Sequence, residues 1–324
     1  MTEGRKRPKI RLIPVGEGLK EIISEIENLC AEWGYEIFTD IRAGAPHYEA
    51  IIMLLKDREG KIGISATIGE TTIDGEIENL ERFIEQLMNQ LFSQVVESQK
   101  EKNRFEEELD RLFLYLFDSG EIKTKGPFTF KLHEKNPDAP RAPIYIGLRP
   151  PPKGSLTKEL IKKIGKVFFQ LSIQNHLRYD CVAGVPKAGD PFANVFPRLS
   201  GLPQLYLEKE ETEEGRRILP ILQGQYQKEW RVLLVDNVLV RAYSTFETIE
   251  ALSAHGLVVK DILVFVDWEH GGVSELRKNG INVISARKIR DLIFFYTREN
   301  RISQEKYKEV IKYLEAVEAY FGKD

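Results

Sequence analysis

The apolar positions change period several times along the chain. Ile10 to Pro14 form a short run that predicts a strand, and across Glu17 to Trp33 the residues Leu19, Ile22, Ile23, Ile26 and Leu29 recur at helical spacing. Gly34 punctuates that helix. Tyr35 to Phe38, Tyr48 to Lys56 and Lys61 to Ile68 then read as strands, the last two joined across Asp57-Arg58-Glu59-Gly60. From Ile77 to Phe117 the period is helical throughout, with Leu80, Phe83, Ile84, Leu87 and Leu91, and later Leu109, Leu112, Phe113 and Leu116, on recurring faces. The polar stretch Glu97 to Glu108 interrupts this stripe and marks either the exposed middle of one long helix or a connector between two.

Beyond Lys123 glycine and proline become frequent. Apolar runs at Ile144 to Leu148, Cys181 to Val185, Val232 to Val235, Ile262 to Val266 and Ile281 to Ile284 alternate with helical segments. Such alternation predicts a parallel sheet with helices on both faces, an α/β architecture. The expected organisation is a small α/β module over 1–75, a long helical connector over 76–115 and a larger α/β domain over 116–324.

Composition narrows the function classes. Charged residues nearly cancel, leaving a formal net charge of -3 and a pI near 6.1, so no global basic field draws nucleic acid or anionic lipid. Cys30 and Cys181 stand far apart with no CxxC spacing, which argues against a disulfide framework and a zinc site and for a cytoplasmic setting. No apolar run approaches the roughly 18 residues a membrane span requires. The five histidines are dispersed, none at the i, i+4 spacing of a metal-binding helix.

The chemistry centres on Trp230 to Val238, a buried strand ending in Asp236-Asn237 and followed by a polar turn and a helix. The carboxyl edge of a parallel sheet is where open α/β folds bind ligands. An aspartate there is equally a helix cap or a hydrogen-bonded turn residue.

Other segments extend this pattern. Phe117 to Ile122, Gly126-Pro127-Phe128-Thr129-Phe130-Lys131 and Ala142 to Arg149 come first. Val182-Ala183-Gly184-Val185-Pro186-Lys187-Ala188-Gly189-Asp190-Pro191-Phe192-Ala193 follows, then Leu202-Pro203, Leu222-Gln223-Gly224, Val266-Asp267-Trp268-Glu269-His270-Gly271-Gly272 and Ile289 to Ile293. In this order the segments resemble orotate phosphoribosyltransferases, which share a type I phosphoribosyltransferase fold. The resemblance implies a Rossmann-like parallel sheet, a homodimer and a nucleotide or phosphoribosyl ligand. It also implies magnesium, bound with phosphoribosyl pyrophosphate if the chain is active and able to reach Asp236 through that ligand.

Carried over residue by residue, the resemblance places ribose at Asp236 and Asn237, phosphate at Ser244 and Thr245, and the base and pyrophosphate near Lys131 and Lys187. It makes Lys209 the candidate catalytic cation. Three stretches depart from the family. Val240-Arg241-Ala242-Tyr243-Ser244 replaces a glycine-rich loop whose backbone N–H groups would cradle a phosphate. Five glutamates surround Lys209 between Glu208 and Glu214 where the family carries several cations. Trp268 follows Asp267 where the family has an arginine for the orotate carboxylate. Arg241 either supplies a compensating charge or forms a solvated ion pair, and Trp268 either stacks on a ligand ring or fills a vacated pocket.

Three readings follow. The chain is a catalytically degenerate relative kept for binding or regulation, an active phosphoribosyltransferase with an altered loop, or an assembly scaffold built on the N-terminal module and long helix.

Overall fold

The computed structural model describes residues 9–15, 20–32, 36–38, 50–56, 62–68, 71–76, 80–130, 132–212 and 215–321. The chain divides into two compact units, Met1–Glu107 and Glu108–Asp324.

In the first unit the order is β1 (Lys9–Val15), α1 (Lys20–Glu32), β2 (Glu36–Phe38), β3 (Ala50–Lys56), β4 (Ile62–Ile68), β5 (Thr71–Glu76) and the start of α2 (Leu80–Asp118). The sheet runs β2-β1-β3-β4-β5, with β1 parallel to β2 and β3 and the remaining pairs antiparallel. Alternate positions, Ile52 and Leu54 on β3 and Ile64 and Ala66 on β4, face one side as the strand period requires. Ile26 and Cys30 of α1 and Leu80, Phe83, Ile84, Leu87 and Met88 of α2 pack with them. The α2 residues fall at i, i+3, i+4, i+7 and i+8, the stripe of a helix that buries one face. The periodicity missed β5, whose sequence TTIDGE offers one large apolar residue; it joins through backbone pairing to β4 as an edge strand.

Helix α2 is continuous through the polar stretch, and the division between units falls inside it. In the second unit follow β6 (Ile122–Lys123), α3 (Leu132–Lys135), β7 (Tyr145–Ile146), α4 (Lys158–Gln174), β8 (Cys181–Gly184), α5 (Asp190–Ala193) and α6 (Phe196–Ser200). Then come β9 (Gln204–Thr212), β10 (Gly215–Gln223), β11 (Arg231–Leu239), α7 (Tyr243–Ser253), β12 (Val258–Asp267), α8 (Gly272–Lys278), β13 (Asn282–Lys288), α9 (Ile289–Arg298) and α10 (Gln304–Phe321).

Six strands form the main sheet in the order β10-β9-β8-β11-β12-β13, parallel except for the β9–β10 hairpin. Val232 to Asp236 of β11 are all buried, the mark of a strand covered on both faces. One face packs on α7 and α8 through Leu234, Val264, Leu252 and Leu276. On the other, Phe265 stacks on Phe113 at 4.7 Å and meets Phe168 of α4 edge-on at 6.1 Å.

One sequence expectation is corrected here. The run Ile144 to Leu148 leaves the main sheet and contributes β7 to a separate two-stranded pairing with β6. The acidic run Glu208 to Glu214 falls in the β9–β10 hairpin, with residues 213 and 214 outside the described set. Its register sets Arg217 opposite Glu210 and Arg216 opposite Glu211, oppositely charged residue types on successive rungs.

Candidate functional site

The carboxyl ends of β8, β9 and β11 open into a cleft of about 550 Å³. Its floor is set by backbone contact between β8's exit loop and β11. Val185 N–H donates to Val235 O at 2.8 Å, and Gly189 N–H donates to Val185 O at 2.7 Å. A Cβ at Gly189 would lie 1.8 Å from Val235 O, so only glycine lets the loop come this close.

Asp236 and Asn237 end the buried part of β11 and line the cleft. Burial pushes the Asp236 carboxyl up to about 7; the Asn237 N–H on Oδ1 at 2.8 Å and the charges of Arg149 and Lys209 pull it down, and Asp190 raises it. Asn237 is engaged at both ends of its amide. Nδ2 donates to Leu148 O at 2.8 Å and Oδ1 accepts from Val238 N–H at 2.7 Å, which ties the segment after β7 to the sheet edge.

Beyond β11 the chain turns through Val240-Arg241-Ala242 into α7. Ala242 adopts φ 59, ψ 12, the left-handed conformation that glycine usually supplies, and no side chain caps the helix that follows. Tyr243, Ser244 and Thr245 of its first turn line the cleft, so this end of the helix offers it the positive pole of the macrodipole. The turn is thus left-handed at Ala242 without a glycine. Arg241 lines the cleft, but its Nη1 donates to His270 O at 2.9 Å and its guanidinium lies 4.2 Å from the Phe321 ring centroid.

Lys209 reaches the same cleft from β9. Strand alternation puts it on the face of buried Leu205 and Leu207, whereas Glu208 and Glu210 are exposed on the other face. The two flanking carboxylates thus point away from the cleft. Arg149, first seen only as the end of a strand-like segment, and Lys153, without a sequence signal of its own, also line it. Asp190 was legible only as part of the β8 exit motif. Burial raises its carboxyl to about 6, opposed by the Lys187 N–H on Oδ2 at 2.7 Å and by Lys209.

Three expected ligand contacts stand differently. Trp268 is fully buried and lies outside the cleft wall, packed edge-on against Phe130 at 4.9 Å and Tyr313 at 6.4 Å; it fills space rather than presenting a stacking face. Lys187 does not line the cleft; its side chain is exposed, and its backbone at φ 63 forms the turn that Asp190 closes. Lys131 lies outside the described residues. The remaining candidates, Asp236, Asn237, Ser244, Thr245, Arg241 and Lys209, all border one cleft.

Phe130 and Tyr145 also line the cleft, their rings stacked at 6.0 Å. Among the described residues no cluster of three or more His, Cys, Asp or Glu side chains stands ready to hold a metal ion, and no helix is long and apolar enough to cross a membrane.

A parallel sheet with a hairpin edge, a strand ending in a buried carboxylate and an uncapped helix start define the class of fold to which the second unit belongs, the type I phosphoribosyltransferase. The UMP synthase of Leishmania donovani shares this fold, with a TM-score of 0.52 and 24% identity over 66% of this chain and 42% of its own. No family model matches the chain. Its sequence is 27% identical over 172 residues to the orotate phosphoribosyltransferase of Caenorhabditis elegans, covering 53% of this chain and 74% of that protein. The orotate phosphoribosyltransferase of Pyrobaculum islandicum is 28% identical over 174 residues and is 86% covered. Bovine uridine 5'-monophosphate synthase is 26% identical over 175 residues, and the match spans 35% of its length. Within its class the chain is orotate phosphoribosyltransferase-like.

Proposed function

We propose that the cleft binds a phosphoribosyl ligand, either phosphoribosyl pyrophosphate or a nucleoside monophosphate, and that the chain acts as a binding or regulatory relative of the transferases. The observation that carries this reading is the β11–α7 junction, where a buried carboxylate and an uncapped helix start face one cleft. A carboxylate accepts hydrogen bonds from a diol, and a helix N-terminus attracts a phosphate. Asp236 takes the ribose hydroxyls, and the first turn of α7 with Ser244 and Thr245 takes the 5'-phosphate. Arg149 and Lys209 take a pyrophosphate.

The donor set suits magnesium carried on the ligand. Magnesium keeps most of its waters and binds through one or two carboxylates and substrate phosphates, and Asp236 is the carboxylate that would hold it here. Bound in that way it would offset pyrophosphate charge.

The regulatory reading rests on Arg241, whose guanidinium is turned to His270 and Phe321, and on the glutamate-rich hairpin. A second reading, an active transferase, is favoured by Lys209, which faces the cleft while its neighbouring glutamates do not.

Calorimetric titration of the full chain with phosphoribosyl pyrophosphate and magnesium, paired with an assay for pyrophosphate release in the presence of orotate, separates them. Binding without turnover supports the first reading, and turnover promotes the second. No heat at millimolar ligand would remove both.

A further inference from the structure

The part of the cleft lined by Phe130 and Tyr145 has its own chemistry. Thr129, Phe130, Glu134 and Tyr145 line it. Phe130 is fixed from several directions. Its N–H donates to His133 Nδ1 at 2.9 Å, and His133 Nε2 donates to Pro140 O at 3.2 Å. His133 thereby ties the start of α3 to the chain around Pro140, and Glu134 is the next residue of that helix.

Behind Phe130 the packing is aromatic and uncharged. The Phe130 ring meets Trp268 at 4.9 Å and His270 at 6.3 Å, and His270 meets Tyr313 at 5.4 Å. His270 is buried on all sides and faces Arg241 and His133, which together with burial hold its ring neutral down to a pKa of about 3. Trp268 Nε1, both His270 ring nitrogens and the Tyr313 hydroxyl find no hydrogen-bond partner among the described residues. Arg241, which also lines the cleft, is directed to the His270 carbonyl and the Phe321 ring. Of Thr129, Phe130, Glu134 and Tyr145, Glu134 alone carries a formal charge, and its carboxylate is exposed.

We infer that this wall selects a heterocycle that is uncharged and carries an amino or ring N–H donor, with Glu134 as the specificity-determining acceptor, and that it disfavours a base bearing a carboxylate. Phe130 and Tyr145 supply flat apolar surface for the ring. Glu134 accepts from an exocyclic amine as glutamate does from the amino group of cytosine, and it repels an anionic substituent. This rests on the proposed binding of a phosphoribosyl ligand, whose phosphate and ribose the other end of the cleft would hold.

The test compares two probes that differ only in the base. The full chain is titrated calorimetrically with phosphoribosyl pyrophosphate and magnesium, then with cytidine 5'-monophosphate and with orotidine 5'-monophosphate, for the native protein and for Glu134→Gln. The native chain should bind the cytidine ligand about tenfold or more tightly than the orotidine ligand, as expected for a hydrogen bond to a charged acceptor. Glu134→Gln, an exposed substitution, should bring that ratio close to one while leaving phosphoribosyl pyrophosphate affinity within about twofold. Equal or tighter binding of orotidine monophosphate, or an unchanged ratio in Glu134→Gln, overturns the inference while the ligand-binding reading stands. Failure of all three probes to bind overturns that reading and this inference with it.

Discussion

Two walls of the cleft are held in different ways. At the β11–α7 junction the strand is flanked by β8 and β12 and buried on both faces, so its end is fixed from every side. On β9 the polar residues stand in a hairpin beside an edge strand, and the β9–β10 register shifts between Ile218 and Leu222. In the first region the surroundings dictate the backbone, and Ala242 is left-handed although glycine is absent. In the second the strand period alone decides which side chain faces the cleft, and it turns Lys209 inward and Glu208 outward. A left-handed turn can therefore be held without glycine where the surrounding core enforces it.

The largest effect should come from breaking the enforced wall. Gly189→Ala places a methyl 1.8 Å from Val235 O, between two backbones that cannot both yield. It should destabilise the second unit by about 3 kcal/mol or more, seen as a lower Tm and a lower yield of folded protein. Gly201→Ala serves as the contrast: no atom lies within 4 Å, and only its φ of 73 is strained, so it should cost about 1 kcal/mol.

A second effect follows from the buried carboxylates. Burial raises Asp236 to about 7 and Asp190 to about 6 from an ordinary value of 3.8. The folded chain then holds protons that the unfolded chain has released, so their stabilising effect is complete below about pH 4 and is lost as pH rises through about 7. Asp236→Asn should flatten the steeper part of that dependence and raise stability at pH 7 by on the order of 1–3 kcal/mol, while weakening binding of phosphoribosyl pyrophosphate. Urea unfolding between pH 4 and 8 measures the slope. A native chain that becomes more stable across this window contradicts the assignment.

On the hairpin wall, Lys209→Ala should weaken phosphoribosyl pyrophosphate affinity about tenfold or more, the size of a hydrogen bond to a charged group, and leave Tm nearly unchanged because the site is half-exposed. Glu208→Ala, on the opposite face, should leave affinity within about twofold. Equal effects at both positions would erase the alternation on which the comparison depends.

Ala242→Gly should have the smallest effect. Relief of a left-handed alanine gives about 1 kcal/mol, and loss of its buried methyl removes about 0.8 kcal/mol. Thermal unfolding should shift by no more than 1–2 °C; a larger shift in either direction means the turn is held by something other than the surrounding core.

Much of the second unit was legible in the sequence because its buried strands are continuous apolar runs, as at Val232 to Val235. The hairpin was not, since GRRILPILQ and QLYLEKEET mix charge with apolar residues, and the pairing that makes them strands lies between segments. At the site, Asp236 was legible from its place at the end of a strand. Trp268 was ambiguous because whether it faces ligand or core depends on Tyr313, 45 positions further along, and on Phe130. Arg149 and Lys153 gave no signal of their own, since they reach the cleft through the fold of the segment that Asn237 anchors at Leu148.

The most direct test of the central claim is hydrogen–deuterium exchange of the full chain with and without phosphoribosyl pyrophosphate and magnesium. Slower exchange is expected across residues 236–248 and around Lys209, with no change at the groove near Ser172, His176 and Asp180 at the opposite edge of the sheet. Unchanged exchange over 236–248 at saturating ligand, or protection confined to that opposite groove, would contradict it.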